Sequence, residues 1–235
     1  MSEKESICWD LFDAIIGNTP RILLYGVPGT GKTYQANTAN LEGRETYNTT
    51  LTQDSSASEL LGHYVLNETG GMDWLDGVGI QAWKDGARLV INEIDHAGVD
   101  VMSFLHALLD DPEFAKFTLP NKRKETVRPQ PSFQVVATMN GMPDDLTPAL
   151  LDRFPVKINI DKVHPKALEA LPIKLRSVYN DYNDGKFSVR KWVAFGQLLD
   201  KEVDVNIAAK TIFVDNHEDI VDALLVASSD EDSDE

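Results

Sequence analysis

One octapeptide limits the possible folds of this chain more than any other feature. Gly26-Val27-Pro28-Gly29-Thr30-Gly31-Lys32-Thr33 fills every fixed position of the pattern G-x-x-x-x-G-K-[ST]. It stands between an apolar run of strand length, Arg21 to Tyr25, and a polar, Ala-rich stretch, Thr33 to Leu41, that suits a helix. Strand, glycine loop and helix in that order open an α/β sheet fold. The glycines let successive backbone N–H groups converge on phosphate oxygens, and the helix starting near Lys32 adds its positive end. Lys32 is then placed to neutralise the β- and γ-phosphates, and the Thr33 hydroxyl to ligate Mg²⁺. Gly26, Pro28, Gly29, Thr30, Gly31, Lys32 and Thr33 form the nucleotide-binding set. No further motif for reading guanine is present, so the nucleotide expected is ATP.

A phosphate loop needs a second apolar strand that ends in acids reaching the metal and the attacking water. Leu89 to Glu93 is that strand, but Asn92 occupies the metal-side position where an Asp is expected. An amide keeps one oxygen acceptor, loses the negative charge and gains a donor. Mg²⁺ binding by Thr33, Asn92 and the phosphates is therefore weakened rather than abolished. Glu93 suits polarisation of the attacking water; the plainer reading is an ordinary strand-end acid. Asp95 either replaces part of the lost charge or caps the following turn. Asn140 follows the strand Val135 to Met139 and can hold the attacking water or touch the γ-phosphate, although Asn140-Gly141 is also a turn signal.

Around these strands the pattern reads as follows. A leading helix covers Ile7 to Ile16, with Ile7, Leu11, Ala14 and Ile15 on one stripe. A β-rich stretch runs from Thr46 to Thr52, an inserted loop or hairpin lies near 63–79, and helices cover Ile80 to Lys84 and Asp100 to Leu109. A basic, Pro-bounded hairpin lies at 117–131, then come a short helix from Pro148 and a last strand, Val156 to Ile160. From His164 onward every pattern is helical. The expected architecture is an α/β, three-layer P-loop NTPase core over 1–161, a C-terminal α-helical lid over 162–227, and an acidic tail, 228–235, kept disordered by self-repulsion.

Charge and cysteine content narrow the function. The 235 residues carry a formal charge of -16; five of the acids lie in Ser228 to Glu235, leaving -11 on the rest. Such a chain is not drawn to nucleic acid or anionic lipid by overall charge. Cys8 is the single cysteine, which excludes an internal disulfide framework. The start is polar and acidic, and no window approaches the roughly 20 apolar residues of a membrane span. These features read as cytoplasmic. The five histidines show no short ligand spacing for zinc or iron.

Taken in series, the motifs resemble those of an AAA+ ATPase, in the MoxR/McrB/dynein-related branch that carries an insert in its second helix and a hairpin before sensor 1. Gly26 to Thr33 resembles Walker A, Leu89 to Glu93 Walker B, and Ala137 to Asn140 sensor 1. Asp144 to Phe154, with Ala149-Leu150-Leu151-Asp152-Arg153-Phe154, resembles the region whose arginine reaches the next subunit's nucleotide, and Phe187 to Arg190 resembles sensor 2. The resemblance implies Glu93, Asn140, Arg153 and Arg190 as catalytic residues. The bland readings are a salt bridge from Arg153 to Asp152 or Asp161, and a solvated Arg190. Glu93 to Ala97 departs from the family's common form, in that His96 stands where an arginine is usual.

The resemblance further implies ATP held between core and lid, an active ring that is hexameric in the family's manner, and mechanical work on a separate protein, with a von Willebrand factor A-domain partner as one candidate. The inserts are expected to face a pore. Tyr64, Trp74 and Trp83 on the first, and Lys122, Arg123, Lys124 and Arg128 on the second, are candidate contacts; a core tryptophan and a soluble hairpin tip are the bland alternatives. Two other functions stay open: a nucleotide-gated assembly or adaptor protein with weak or absent hydrolysis because of Asn92, and a McrB-like nucleic-acid translocase module resting on the basic hairpin.

Overall fold

The computed structural model describes residues 7–183 and 187–231. The elements are, in order, α1 (Ile7–Ile16), β1 (Arg21–Tyr25), α2 (Lys32–Thr38), β2 (Thr46–Thr50), α3 (Ala57–Leu61), β3 (Gly62–Leu66), β4 (Met72–Asp76), α4 (Val78–Asp85), β5 (Arg88–Asn92) and α5 (Val99–Leu108). After these come β6 (Phe117–Thr118), β7 (Thr126–Val127), β8 (Gln134–Thr138), α6 (Pro148–Asp152), β9 (Val156–Asn159), α7 (Pro165–Glu169), α8 (Ile173–Tyr182), α9 (Val189–Leu199), α10 (Val205–Phe213) and α11 (His217–Glu231). The chain divides into two compact units. One holds the residues up to Gly26 together with Lys32–Ile160; the other holds Val27–Gly31 together with the residues from Asp161 onward.

The first unit is built on a five-stranded sheet, ordered β2-β5-β8-β1-β9, with every pairing parallel. Parallel strands are buried on both faces, which is why β1, β5 and β8 read as unbroken apolar runs rather than as alternations. Leu23, Leu89, Ile91, Val135 and Ala137 point into one core with Trp83, Val101, Leu105 and Leu150. The alternate residues Ile22, Leu24, Val90 and Val136 point into the other, with Phe12, Ile16 and Ala36. Helix, sheet and helix make the three layers of a P-loop NTPase core.

The leading helix presents a different face from the expected stripe. Cys8, Trp9, Phe12 and Ile16 are buried, while Leu11 is 50% exposed. Two overlapping apolar stripes compete on this short helix, and the one carrying the larger rings removes more area from water.

Arg88, at the start of β5, is wholly buried. Its guanidinium donates to Gln134 Oε1 (2.7 Å) and to the backbone oxygens of Ala36 (3.0 Å), Ala39 (2.6 Å) and Asn40 (3.2 Å). These carbonyls lie in the last turn of α2 and just beyond it, where helix acceptors lack partners. Burial holds Arg88 well below the usual arginine range, at about 10, and nearby Arg44 adds to the effect.

Both inserts are hairpins. In the first, β3 pairs antiparallel with β4, and Tyr64 faces Trp74 in a T-shaped contact at 5.3 Å. In the second, β6 pairs with β7, and Leu119 and Val127 are buried in the core, while the tip from Lys122 to Glu125 is exposed. The hairpins touch: Tyr64 Oη donates to the Pro120 oxygen (3.1 Å), and Lys84 pairs with Asp76 (2.7 Å) and Glu125 (3.4 Å). Trp83 is a core residue, 1% exposed and packed edge-on against Phe133, so it offers no pore contact. Lys122, Arg123, Lys124 and Arg128 are exposed.

The second unit is a helical bundle. Leu175, Val178, Trp192, Phe195, Ala209, Phe213 and Ile220 fill its core, and the Trp192 indole donates to Asn183 Oδ1 at 3.0 Å. Its last helix runs on to Glu231, into the segment expected to be a disordered tail; residues 232–235 lie outside the described residues.

Candidate functional site

The parallel sheet brings the C-terminal ends of β1, β5 and β8 to one edge, the usual position of ligands in open α/β sheets. Gly26 ends β1 with φ of +119°, and a Cβ there would come within 2.7 Å of the Ile160 oxygen, so the turn needs glycine. Lys32 opens α2. Its ammonium donates to the Gly26 oxygen (2.9 Å) and to Asn140 Oδ1 (3.3 Å). The side chain is nearly buried, and that burial lowers its pKa from 10.5 to about 8, with Asp95 pulling in the opposite direction. An ammonium at this edge of the sheet suits an anionic ligand.

Thr33 Oγ1 donates to Asn92 Oδ1 at 2.8 Å, and Thr138 Oγ1 donates to the same oxygen at 3.2 Å. Asn92 Nδ2 donates to the Thr49 oxygen at 3.3 Å, which fixes the amide with its oxygen toward Thr33. Thr33 and Asn92 thus present two hard oxygens side by side, a donor set that fits Mg²⁺. Among the described residues no three His, Cys, Asp or Glu side chains gather to hold a metal. The fit is accordingly to Mg²⁺ carried with phosphates, since that ion keeps waters and phosphate oxygens and needs few protein ligands.

Glu93 adopts a left-handed backbone, φ 55°, a strain of roughly 1–3 kcal/mol of the kind that concentrates at functional positions. Its Oε2 lies 3.3 Å from His96 Nδ1, and His96 Nε2 lies 3.5 Å from Asp95 Oδ2. Asp95 does not cap the turn that follows β5: that turn begins at Glu93 without a side-chain cap.

Arg153 ends α6 and pairs with Asp110 through Nη1 at 3.2 Å, rather than with Asp152 or Asp161. Both side chains are about one third exposed, and Arg153 Nε is buried without a hydrogen bond.

In the second unit, the turn Val27–Gly31 closes on itself through Thr30 Oγ1 to the Val27 oxygen (3.1 Å), and His164 N donates to the Thr30 oxygen (2.8 Å). A Cβ at Gly29 would lie 2.5 Å from Ser188 Cβ, and one at Gly31 would lie 2.8 Å from His164 Cβ. Arg190 stands exposed in the first turn of α9, two residues beyond Ser188.

The structure therefore gathers Gly26, Lys32, Thr33, Asn92 and Asn140 by direct contacts. Thr49, Thr138, His96, His164 and Ser188 were not legible as site residues. Thr138 carried a signal, a hydroxyl at the end of the strand leading to Asn140, and His96 and Ser188 lie within stretches the motifs cover; Thr49 and His164 are brought in by distant segments and carried none.

A sequence model of the AAA domain (dynein-related subfamily) matches residues 21–154. Protein NorQ of Paracoccus denitrificans is 36% identical over 132 residues, covering 55% of this chain and 47% of that protein. Midasin of Dictyostelium discoideum is 28% identical over 159 residues, covering 65% of this chain and 3% of its own length. Among solved structures, NtrX from Brucella abortus superposes with a TM-score of 0.60 at 12% identity, covering 82% of this chain and 49% of that one, which speaks for the fold alone. The chain spans about half the length of NorQ and a small part of Midasin.

Proposed function

This chain belongs to the dynein-related subfamily of AAA domains, and from that premise we propose a MoxR-like, Mg²⁺-dependent ATPase that assembles into a ring, a hexamer by family resemblance, and remodels a separate protein partner. The observation that carries the reading is Lys32, buried in the first turn of α2 with its ammonium on the oxygens of Gly26 and Asn140. In this reading Lys32 neutralises the β- and γ-phosphates, and Thr33 with Asn92 holds the metal, which supplies charge neutralisation at the phosphates. Glu93 takes the proton of the attacking water, and Asn140 orients that water. Arg190, on the helix that begins against Gly29, reaches the phosphates. Arg153 of the partner subunit stabilises charge on the transferring phosphoryl, which makes hydrolysis depend on assembly.

ATP turnover measured against protein concentration tests this. Turnover per subunit is expected to rise with concentration and to collapse in Arg153→Ala; turnover that is independent of both overturns the trans arginine. The partner, with a von Willebrand factor A domain as the candidate class, is sought by capture on the nucleotide-bound ring. No described helix is long and apolar enough to cross a membrane.

A second reading has its own support. The Nδ2 bond to Thr49 makes position 92 fit an amide, which favours a protein that binds ATP and hydrolyses it slowly, acting as a nucleotide-gated adaptor. Phosphate release by the wild type beside Asn92→Asp separates the two: a robust wild-type rate rejects the adaptor, and a gain on restoring the carboxylate supports it.

A further inference from the structure

Asn92 leaves the metal side of the site without the usual strand-end carboxylate, yet a carboxylate is buried nearby. Asp95 sits in the single turn Ile94–His96 that follows β5, with its side chain only 15% exposed. Its Oδ2 lies 3.5 Å from His96 Nε2, whereas its Oδ1 is shut off from solvent and meets no hydrogen-bond donor. A carboxylate oxygen without water or donor is costly, and native folds keep such an atom where something else satisfies it.

We propose that Asp95 supplies the negative charge missing at Asn92, its Oδ1 accepting from a water of the Mg²⁺ that accompanies the bound nucleotide. The proposal rests on the nucleotide-binding reading above. Two observations converge on it. The orphaned oxygen belongs to the turn directly continuing the strand that ends at Asn92. Thr33 and Asn92 offer two neutral oxygens and no charge, and Mg²⁺, which dehydrates reluctantly, is commonly held through its waters by one or two carboxylates. A carboxylate acting through a metal-bound water can sit farther from the ion than a direct ligand, which allows its shift from the end of β5 to the next turn. His96 stands between Asp95 and Glu93, with Nε2 3.5 Å from Asp95 Oδ2 and Nδ1 3.3 Å from Glu93 Oε2, while Asp95 Oδ1 meets no donor.

The test uses the full chain, ADP and Mn²⁺ as the paramagnetic substitute for Mg²⁺, with free Mn²⁺ read by electron paramagnetic resonance and metal-free ADP affinity read by calorimetry in a chelator. Asp95→Asn is expected to weaken Mn²⁺ binding to the ADP complex by roughly 10- to 100-fold, the usual effect of losing an outer-shell group. Metal-free ADP affinity should be kept or slightly raised, because a negative charge near the phosphates has gone. Asn92→Asp in the Asp95→Asn background is expected to recover Mn²⁺ affinity. Unchanged Mn²⁺ affinity in Asp95→Asn, or an equal loss with and without metal, overturns the assignment. Failure of the wild type to bind ADP under either condition removes the nucleotide-binding reading itself, and the assignment with it.

Discussion

Asn92 Nδ2 donates to the backbone oxygen of Thr49 at 3.3 Å, a bond that an aspartate at the same position cannot make. Asn92→Asp would set a carboxylate oxygen against that carbonyl while keeping the acceptor used by Thr33 and Thr138. Without ligand the variant is expected to be less stable by about 1–3 kcal/mol, the cost of an unmade buried bond. Mg²⁺ with nucleotide should raise its melting temperature more than that of the wild type. Thermal denaturation with and without Mg-ADP checks both points, and an equal ligand shift in the two proteins would contradict the metal-side placement of residue 92.

Lys32 makes nucleotide affinity depend on pH. Its pKa in the free protein is lowered to about 8, chiefly by burial. Phosphates favour the charged amine, so binding raises that pKa and takes up a proton. Affinity is thus fully present below pH 8 and falls above it, by about tenfold between pH 7 and pH 9. Calorimetry across that range, in buffers of different ionisation enthalpy, reads the affinity and the proton uptake together. A flat profile would remove Lys32 from the phosphate site.

Arg88 should be among the costliest single residues to replace. Arg88→Met removes the donors for the last carbonyls of α2 and for Gln134 Oε1. Leaving several buried neutral acceptors without a donor costs about 1–3 kcal/mol for each, or about 3–5 kcal/mol together once they partly relax. Urea denaturation is expected to show a loss of that size, and a loss below 1 kcal/mol would mean that water enters and replaces the guanidinium.

The Arg153–Asp110 pair should be cheap to break. Both side chains are about one third exposed, and such pairs contribute roughly 0–1 kcal/mol. Asp110→Ala is expected to change stability by less than that, while freeing Arg153 for a neighbouring subunit. Turnover at low protein concentration should then rise, by no more than about fivefold. A fall in turnover would place Asp110 in the assembly contact instead.

Nucleotide should govern assembly. A ligand shifts an equilibrium only through contacts that one state makes better, and in the proposed ring a γ-phosphate reached by Arg153 of the partner subunit would be such a contact. ATP analogues with Mg²⁺ are expected to move this chain, with its charge of -16, from small species toward a closed ring. ADP should do so less, and Lys32→Ala not at all. Light scattering coupled to size exclusion, at two salt concentrations, gives the mass in each state; one mass throughout would reject gating by nucleotide.

The octapeptide from Gly26 to Thr33, the apolar runs of β1, β5 and β8, and the helical stretch that became α5 were legible because each is a property of a few consecutive residues. Backbone conformation, strand burial on both faces and helix phase are written at that range. The sheet order, the burial of Arg88 under carbonyls of α2, the pairing of Arg153 with Asp110 and the anchoring of Asn92 on Thr49 were not. Each depends on which distant polar group comes within about 3 Å, and nothing local to either partner encodes that distance. The face of α1 shows the same division: its sequence offers both Leu11 and Phe12, and the sheet it packs against buried Phe12. The chain by itself determined that a phosphate loop would form and what it would hold. Only the tertiary structure decided which oxygens meet at Asn92, and that Asp95 in the next turn keeps a buried oxygen without a donor, because buried polar groups find their partners across the fold rather than along the sequence.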